Sequence, residues 1–293
     1  MKEIFSLHED LKNKTYQHAP YVAFKINDPK PRDIHKATVC DRLLHHAIFR
    51  VLYPYFDTQF IAHSYSSRKD KGTHRALQAF KKMSNKVSKN NTKTMWVLKC
   101  DIRKFFSSID HVLLKNILRK HINNTDTLHL LFHIIDSFHT QPNKGLPLGN
   151  LTSQLLVNIY MNEFDQWVNH NLKAKHYIRY ADDFVVLHTD KFILDEYLEN
   201  ICAFLNIKLK LQLHPKKVSI TTLASGVDFL GWVHFPYHLV LRTVTKKRML
   251  RKLEANKHKE ESIQSYLGML KHGDGYELEK YIRRHMDSET SSE

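Results

Sequence analysis

Glycine and proline are scarce, 8 of each in 293 residues, and they gather in "DPKPRD", "NKGLPLGN" and "KHGDGY". With so few breakers, the chain is expected to build long elements joined at a few loops. Cysteine is scarcer: Cys40, Cys100 and Cys202 are an odd, scattered set with no CxxC spacing, so a reducing cytoplasm is the simplest home. No apolar run approaches a membrane span, and "MKEIFSLHEDLKNK" has charges where a signal peptide needs an apolar core. Internal repeats and low-complexity linkers are also missing, and only the tail "DSETSSE" reads as disordered. Acid is short as well. Lys and Arg number 45 against 30 Asp and Glu, which leaves a net charge of +15 and points to a polyanionic partner, nucleic acid before a membrane surface.

What is present is a folding chain. Hydrophobic residues make up 42%, enough to bury a sizeable core in one large or two modest lobes. The 21 histidines invite a metal reading, and His129 and His133 in "HLLFHIIDSFH" have helical i,i+4 spacing. Without the acid of an HExxH they read as core or surface histidines.

Three segments carry chemistry. In "IRYADDFVVLH" (178–188), adjacent Asp182 and Asp183 stand between strand-like runs, which predicts a hairpin with the acids at its turn. Buried like charges repel, so either the turn is exposed or a cation belongs there. In "MWVLKCDIRKFFSSIDH" (95–111), a short apolar strand delivers Asp101 near its end, and "SSIDHVLLKNILRKHI" follows as a capped helix. If the two strands are neighbours, their carboxylates would hold two Mg²⁺ ions about 3.5–4 Å apart, an arrangement suited to phosphoryl transfer. The third segment, "GLPLGNLTSQLLVNIYMNEFDQWV" (145–168), joins a glycine-bearing loop to a helix with an apolar stripe at Leu156, Ile159, Tyr160, Phe164, Trp167 and Val168. Asn150, Thr152 or Ser153 can cap it.

In this order the segments resemble the motifs of reverse transcriptases. "YADD" (180–183) is similar to the family's signature tetrapeptide and "LKCDIRKFFSSIDH" to the first catalytic motif of its bacterial, group II intron-like members. "DPKPRDIHKATVCDRLLHHAI" and "IAHSYSSRKDKGTHRAL" resemble fingers segments, "LQLHPKKVSI" the lysine-bearing motif and "VDFLGWVHF" the primer-grip hairpin. The resemblance implies an α+β right-hand polymerase: fingers over 1–95, palm over 96–235 (an antiparallel sheet backed by helices, with part of 112–140 packing on the fingers), a small helical thumb over 236–286, and the tail 287–293.

It also implies roles. Asp101 and Asp182 would bind both ions, Mg²⁺ with Mn²⁺ as a substitute, with the Ile102 carbonyl as a further ligand and Asp183 in support. Phe106 matches the bulky gate that excludes a 2′-hydroxyl. Lys30, Arg32 and Arg42 match positions that hold the triphosphate. Lys217, with Lys216 competing, would neutralise or protonate the pyrophosphate. Leu148 and Gly149 would border the nucleotide. Arg68, Ser153, Gln154, Gly231, Lys246, Lys247, Arg248 and Arg251 would touch template or primer, the last four from a basic helix within 242–259 that recognises backbone charge and A-form-like shape.

One departure sharpens the subtype. Most of the family has Gln before the loop glycine and Ser-Pro after it, whereas here Leu148 precedes Gly149 and Gln154 follows Ser153. "LGNLTSQ" resembles diversity-generating retroelement enzymes, which copy RNA with errors at adenines. That membership implies an RNA template, a DNA or RNA primer, dNTPs and a small basic accessory protein, with no membrane. No "VTG" marks the thumb, which disfavours a retron. With the chain stopping at Glu293, no maturase, endonuclease or RNase H segment is expected. Two other readings stay open: a defence-associated or retron-like enzyme, and a catalytically silent nucleic-acid-binding relative.

Overall fold

A computed structural model describes residues 2–27, 31–255 and 260–290. The chain opens with α1 (Lys2–Lys12), a hairpin of β1 (Val22–Ile26) and β2 (Arg32–Lys36), then α2 (Val39–Gln59) and α3 (Thr73–Val87). Thr38 caps α2 through the Asp41 N–H. Next come β3 (Trp96–Asp101), the short α4 (Phe105–Ser108), α5 (His111–His121), α6 (Thr125–Asp136) and α7 (Leu151–His170). Asp110 caps α5 as its sequence predicts, accepting from the Leu113 N–H at 3.0 Å. The hairpin of β4 (Tyr177–Tyr180) and β5 (Asp183–His188) leads to α8 (Lys191–Leu209), β6 (Ser219–Thr222), β7 (Val227–Phe229), β8 (Trp232–His234) and β9 (Leu239–Leu241). Three helices follow, α9 (Thr243–Ala255), α10 (Glu260–Leu270) and α11 (Tyr276–Thr290). No described helix is long and apolar enough to cross a membrane.

The central sheet has the order β4-β5-β3-β6 and is antiparallel throughout. Its strands are apolar on both faces because both are covered. Val97, Ile178, Val185 and Leu187 face Leu77, Phe80 and Met83 of α3. Leu98, Cys100, Phe184 and Val186 face Phe164 of α7 and Leu194, Ile201 and Leu205 of α8. Burying a side chain such as Phe184 is worth about 1.5–3 kcal/mol, so this double layer supplies much of the core's stabilisation. Asp101 and Asp183 lie at the end of the α3-facing side, in step with Val97 and Val185.

Satellite packing surrounds it. Leu130 and Ile134 of α6 rest on Leu7, Tyr16 and Leu44, which ties α6 to α1 and α2. Met249, Leu253, Ile263, Leu267, Leu270 and Ile282 form the small core of the last three helices. Strand β9 completes the sheet β7-β8-β9. Helix α11 runs to Thr290, and 291–293 lie outside the described residues.

Candidate active site

Tyr180 pairs with Asp183, which leaves Ala181 and Asp182 as a two-residue turn, with Ala181 in the left-handed region at φ 55°. A non-glycine residue there costs about 1–2 kcal/mol, and a buried arginine holds it. Arg179 is fully buried and donates from Nη1 to the Ala181 carbonyl at 3.1 Å. Its other donors reach Asp165 (Nη2 to Oδ2 at 2.6 Å, Nε to Oδ1 at 2.8 Å), Asn158 Oδ1 and Ser64 Oγ. Tyr177 adds its hydroxyl to Asp165 at 2.7 Å, and the Arg179 backbone bonds His63 and Tyr65.

The adjacent ladder brings the acids together. Asp101 sits directly opposite Asp183, and the Ile102 N–H donates to the Asp182 carbonyl at 3.1 Å. Continuing the β3–β6 register by two residues places Lys217 opposite Asp101, and its Nζ reaches Asp101 Oδ2 at 2.6 Å. Lys216 is exposed and bonds only through its backbone, to His214 Nδ1. The Asp101 carbonyl accepts from the His214 N–H at 2.7 Å, which fixes the approach of the lysine-bearing segment.

Electrostatics single out the pair at the turn. Burial, then the Asp101 charge, pushes the Asp182 carboxyl up, against the pull of Lys217 and Arg32. Burial, then Asp182, pushes Asp183 up to about 6, with Lys99 opposing. Three acids at one sheet end with two proton affinities raised make a site short of positive charge. Hard oxygen donors suit Mg²⁺ or Mn²⁺. Among the described residues no three ligating side chains already converge on one point, and Lys217 supplies the nearest cation to Asp101. The donor set therefore fits divalent ions once that ion pair opens.

Other residues singled out by the sequence lie on β2, α2, α4, α7, α9 and the loops between elements. Arg32, exposed on β2, reaches Asp182 by charge, while Arg42 lies exposed on the first turn of α2. Lys30 lies outside the described residues. Half-buried Phe106 packs against the core, and its carbonyl accepts from the Leu146 N–H at 2.8 Å, joining α4 to the glycine loop. Leu148 is half-buried and its carbonyl accepts from the His35 N–H at 2.9 Å, while Asn150 Nδ2 donates to the His35 carbonyl. The loop is thus pinned to β2. Gly149 has φ 114°, and a Cβ on it would come within 2.8 Å of Ile34 Cγ2, so that position requires glycine. Gln154 is half-buried on α7, and Gly231 forms the β7–β8 turn at φ 87°. Lys246, Lys247 and Arg251 are exposed on α9, with Arg248 half-buried beside them.

Two residues expected at template or primer lie inward: the Arg68 guanidinium bonds Asp57 and the Ile61 and Ser64 carbonyls, and Ser153 is buried within α7. The sequence reading also missed Arg179, Asp165 and Lys99. A charge in the middle of an apolar strand was the available signal, because such a group needs a buried partner or a functional one.

A profile described as "Reverse transcriptase (RNA-dependent DNA polymerase)" matches residues 25–234. The chain is 26% identical over 271 residues to Protein YkfC of Escherichia coli (strain K12), covering 78% of this chain and 70% of YkfC. To the group II intron-encoded protein LtrA of Lactococcus lactis subsp. cremoris it is 23% identical over 303 residues, covering 79% of this chain and 49% of LtrA. Among solved structures, apo telomerase from Candida tropicalis matches with a TM-score of 0.57 at 12% identity, over 80% of this chain and 52% of that one. Telomerase from Candida albicans, in complex with the TWJ fragment of telomeric RNA, gives 0.53 at 12% identity, over 85% and 54%. The chain therefore spans 70% of YkfC but about half of LtrA and the telomerases. The telomerase likeness is one of fold, that of a right-hand polymerase, and the profile match over residues 25–234 shows that the chain belongs to the reverse transcriptase family.

Proposed function

We propose that the chain extends a DNA or RNA primer with dNTPs on an RNA template, and that it does so as the error-prone enzyme of a diversity-generating retroelement. The observation that carries the polymerase reading is the cross-strand pairing of Asp101 with Asp183, beside Asp182 in a turn locked by Arg179. Asp101 and Asp182 would hold two divalent ions, with Asp183 and the Ile102 carbonyl in support, and the ions would supply Lewis-acid activation of a primer 3′-hydroxyl and charge stabilisation at the leaving pyrophosphate. Arg32 and Arg42 face the triphosphate from the fingers, and Phe106 flanks the sugar. Lys246, Lys247, Arg248 and Arg251 follow the duplex backbone, and Gln154 and Gly231 border template and primer. A small basic accessory protein completes the assembly. The reading places the chain in the cytoplasm, where its three free cysteines stay reduced.

Single-nucleotide addition tests the polymerase. On homopolymeric RNA with Mg²⁺, the complementary dNTP is added in preference to the other three, least selectively on an adenine template. Addition of any dNTP regardless of template favours the defence-effector reading, and binding without addition favours the silent relative.

Lys217 carries a second expectation. It neutralises or protonates the leaving group, so Lys217→Ala slows addition by about 10²-fold, whereas Lys216→Ala stays near the wild-type rate. Equal effects of the two changes would refute the assignment.

The subtype rests on Leu148, an aliphatic side chain where most of the family has an amide. A site lacking that polar contact rejects wrong pairs less strongly. Leu148→Gln keeps the backbone bond to His35 and is expected to reduce misincorporation opposite template adenine. Sequenced products with an unchanged error spectrum would remove Leu148 from the account.

A further inference from the structure

A cavity of about 300 Å³ lies between α3, the β8–β9 turn and the α10–α11 turn, and none of Asp101, Asp182, Asp183 or Lys217 lines it. One wall is basic. Lys81 and Lys271 line it, and the His74 and His272 rings stack with centroids 3.5 Å apart. Asp274 is the only acid among the lining residues, and one of its oxygens already accepts the Leu239 N–H. The opposite wall is aromatic, with Phe235 and His238 stacked at 4.5 Å and Tyr237 83% exposed beside them. His234 also lines the cavity. It is only 5% exposed, yet its Nε2 has no hydrogen-bond partner.

The walls are fixed in place. Asn91 Nδ2 donates to the Pro236 carbonyl at 2.9 Å, the Asp274 N–H donates to the Leu239 carbonyl at 2.7 Å, and a Cβ on Gly273 would meet Trp232 Cζ3 at 2.3 Å. A preformed site binds without the cost of ordering itself. The imidazoles do not make a metal site, because no three ligating side chains converge among the described residues and two lysines oppose a cation.

We propose that this cavity binds a nucleoside phosphate, with the phosphate between Lys81 and Lys271 and the base against the aromatic wall. Paired cations suit a phosphate, aromatic faces accept any base, and the volume suits a single nucleotide. A free nucleotide and the 5′-terminal nucleotide of an RNA strand offer the same chemistry. Occupancy of the cavity is independent of whether the carboxylates polymerise.

Calorimetric titration of the intact chain with AMP, in EDTA to silence metal-dependent nucleotide binding at the carboxylates, tests this. AMP is expected to saturate one site and to bind Asp182→Asn equally well. The exposed pair Lys81→Ala and Lys271→Ala together weaken it by about tenfold or more at an unchanged Tm, and adenosine or inorganic phosphate alone binds weaker by a similar factor. A 5′-phosphorylated RNA hexamer that displaces AMP where its 5′-hydroxyl counterpart does not identifies a strand end as the occupant. AMP binding that neither hexamer displaces identifies the free nucleotide. Absence of saturable AMP binding, or an affinity unmoved by the lysine changes, overturns the proposal.

Discussion

Asp182→Asn lowers primer extension by about 10³-fold and leaves the metal-free protein at least as stable as the wild type near pH 7.5. The loss follows from the role proposed for Asp182: Lewis-acid stabilisation is worth several kcal/mol, and each 1.36 kcal/mol is about tenfold in rate. The retained stability follows from the site's electrostatics. Asp182 and Asp183 hold their protons more tightly in the folded state, because both are buried beside another acid. Their contribution to stability is therefore present below the ordinary carboxylate range and is lost as pH rises, through about 6 for Asp183. For Asp183 the loss is on the order of 3 kcal/mol. An amide at 182 removes one charge and lowers the neighbour's proton affinity.

Melting curves of the two proteins across pH, without metal, read this directly. The difference between them rises in the variant's favour between about pH 5 and pH 7.5. Taking a difference matters, because burial lowers His45 and His234 to about 4 and works in the opposite sense in both proteins. Mg²⁺ raises the melting temperature of the wild type more than that of the variant. A variant that melts several degrees lower without metal would mean that its lost activity reports misfolding.

Arg179→Met has the opposite signature, a loss of stability of about 3–5 kcal/mol. The change strands Asp165, fully buried, with only the Tyr177 hydroxyl for company, and frees the carbonyl of the strained Ala181. In a chain of this size that is about 10 °C in melting temperature. Adding Asp165→Leu removes the stranded charge and recovers much of the stability, since buried ion pairs are often replaceable by apolar groups. Primer extension stays low in the double variant because nothing then holds the Asp182 turn. Denaturant titration of both variants decides it. A loss below about 1 kcal/mol in the single variant, or full activity in the double, would show that the buried cluster does not position the turn.

The frame of the site was legible because it rests on local rules. The short apolar runs "MWVLKCDI" and "FVVLH", and Asp110 before an apolar helical run, read directly as β3, β5 and the start of α5. The register between β3 and β5 was not local, yet it decides that Asp101 meets Asp183 across the ladder. Arg179 lies within "IRYADDFVVLH", but its role is not local, because its partners Asp165, Asn158 and Ser64 are distant in sequence. The Arg68–Asp57 pair was illegible for the same reason: a basic residue in a polar loop looks solvated until Asp57 closes over it.

Reverse transcription itself is tested most directly by sequencing the product made from a defined heteropolymeric RNA, a primer, dNTPs and Mg²⁺, with wild type and Asp182→Asn in parallel. The account predicts cDNA complementary to the template from the wild type, with errors concentrated opposite adenine, and almost none from the variant. Product of a sequence unrelated to the template, or equal yield from both proteins, would contradict it.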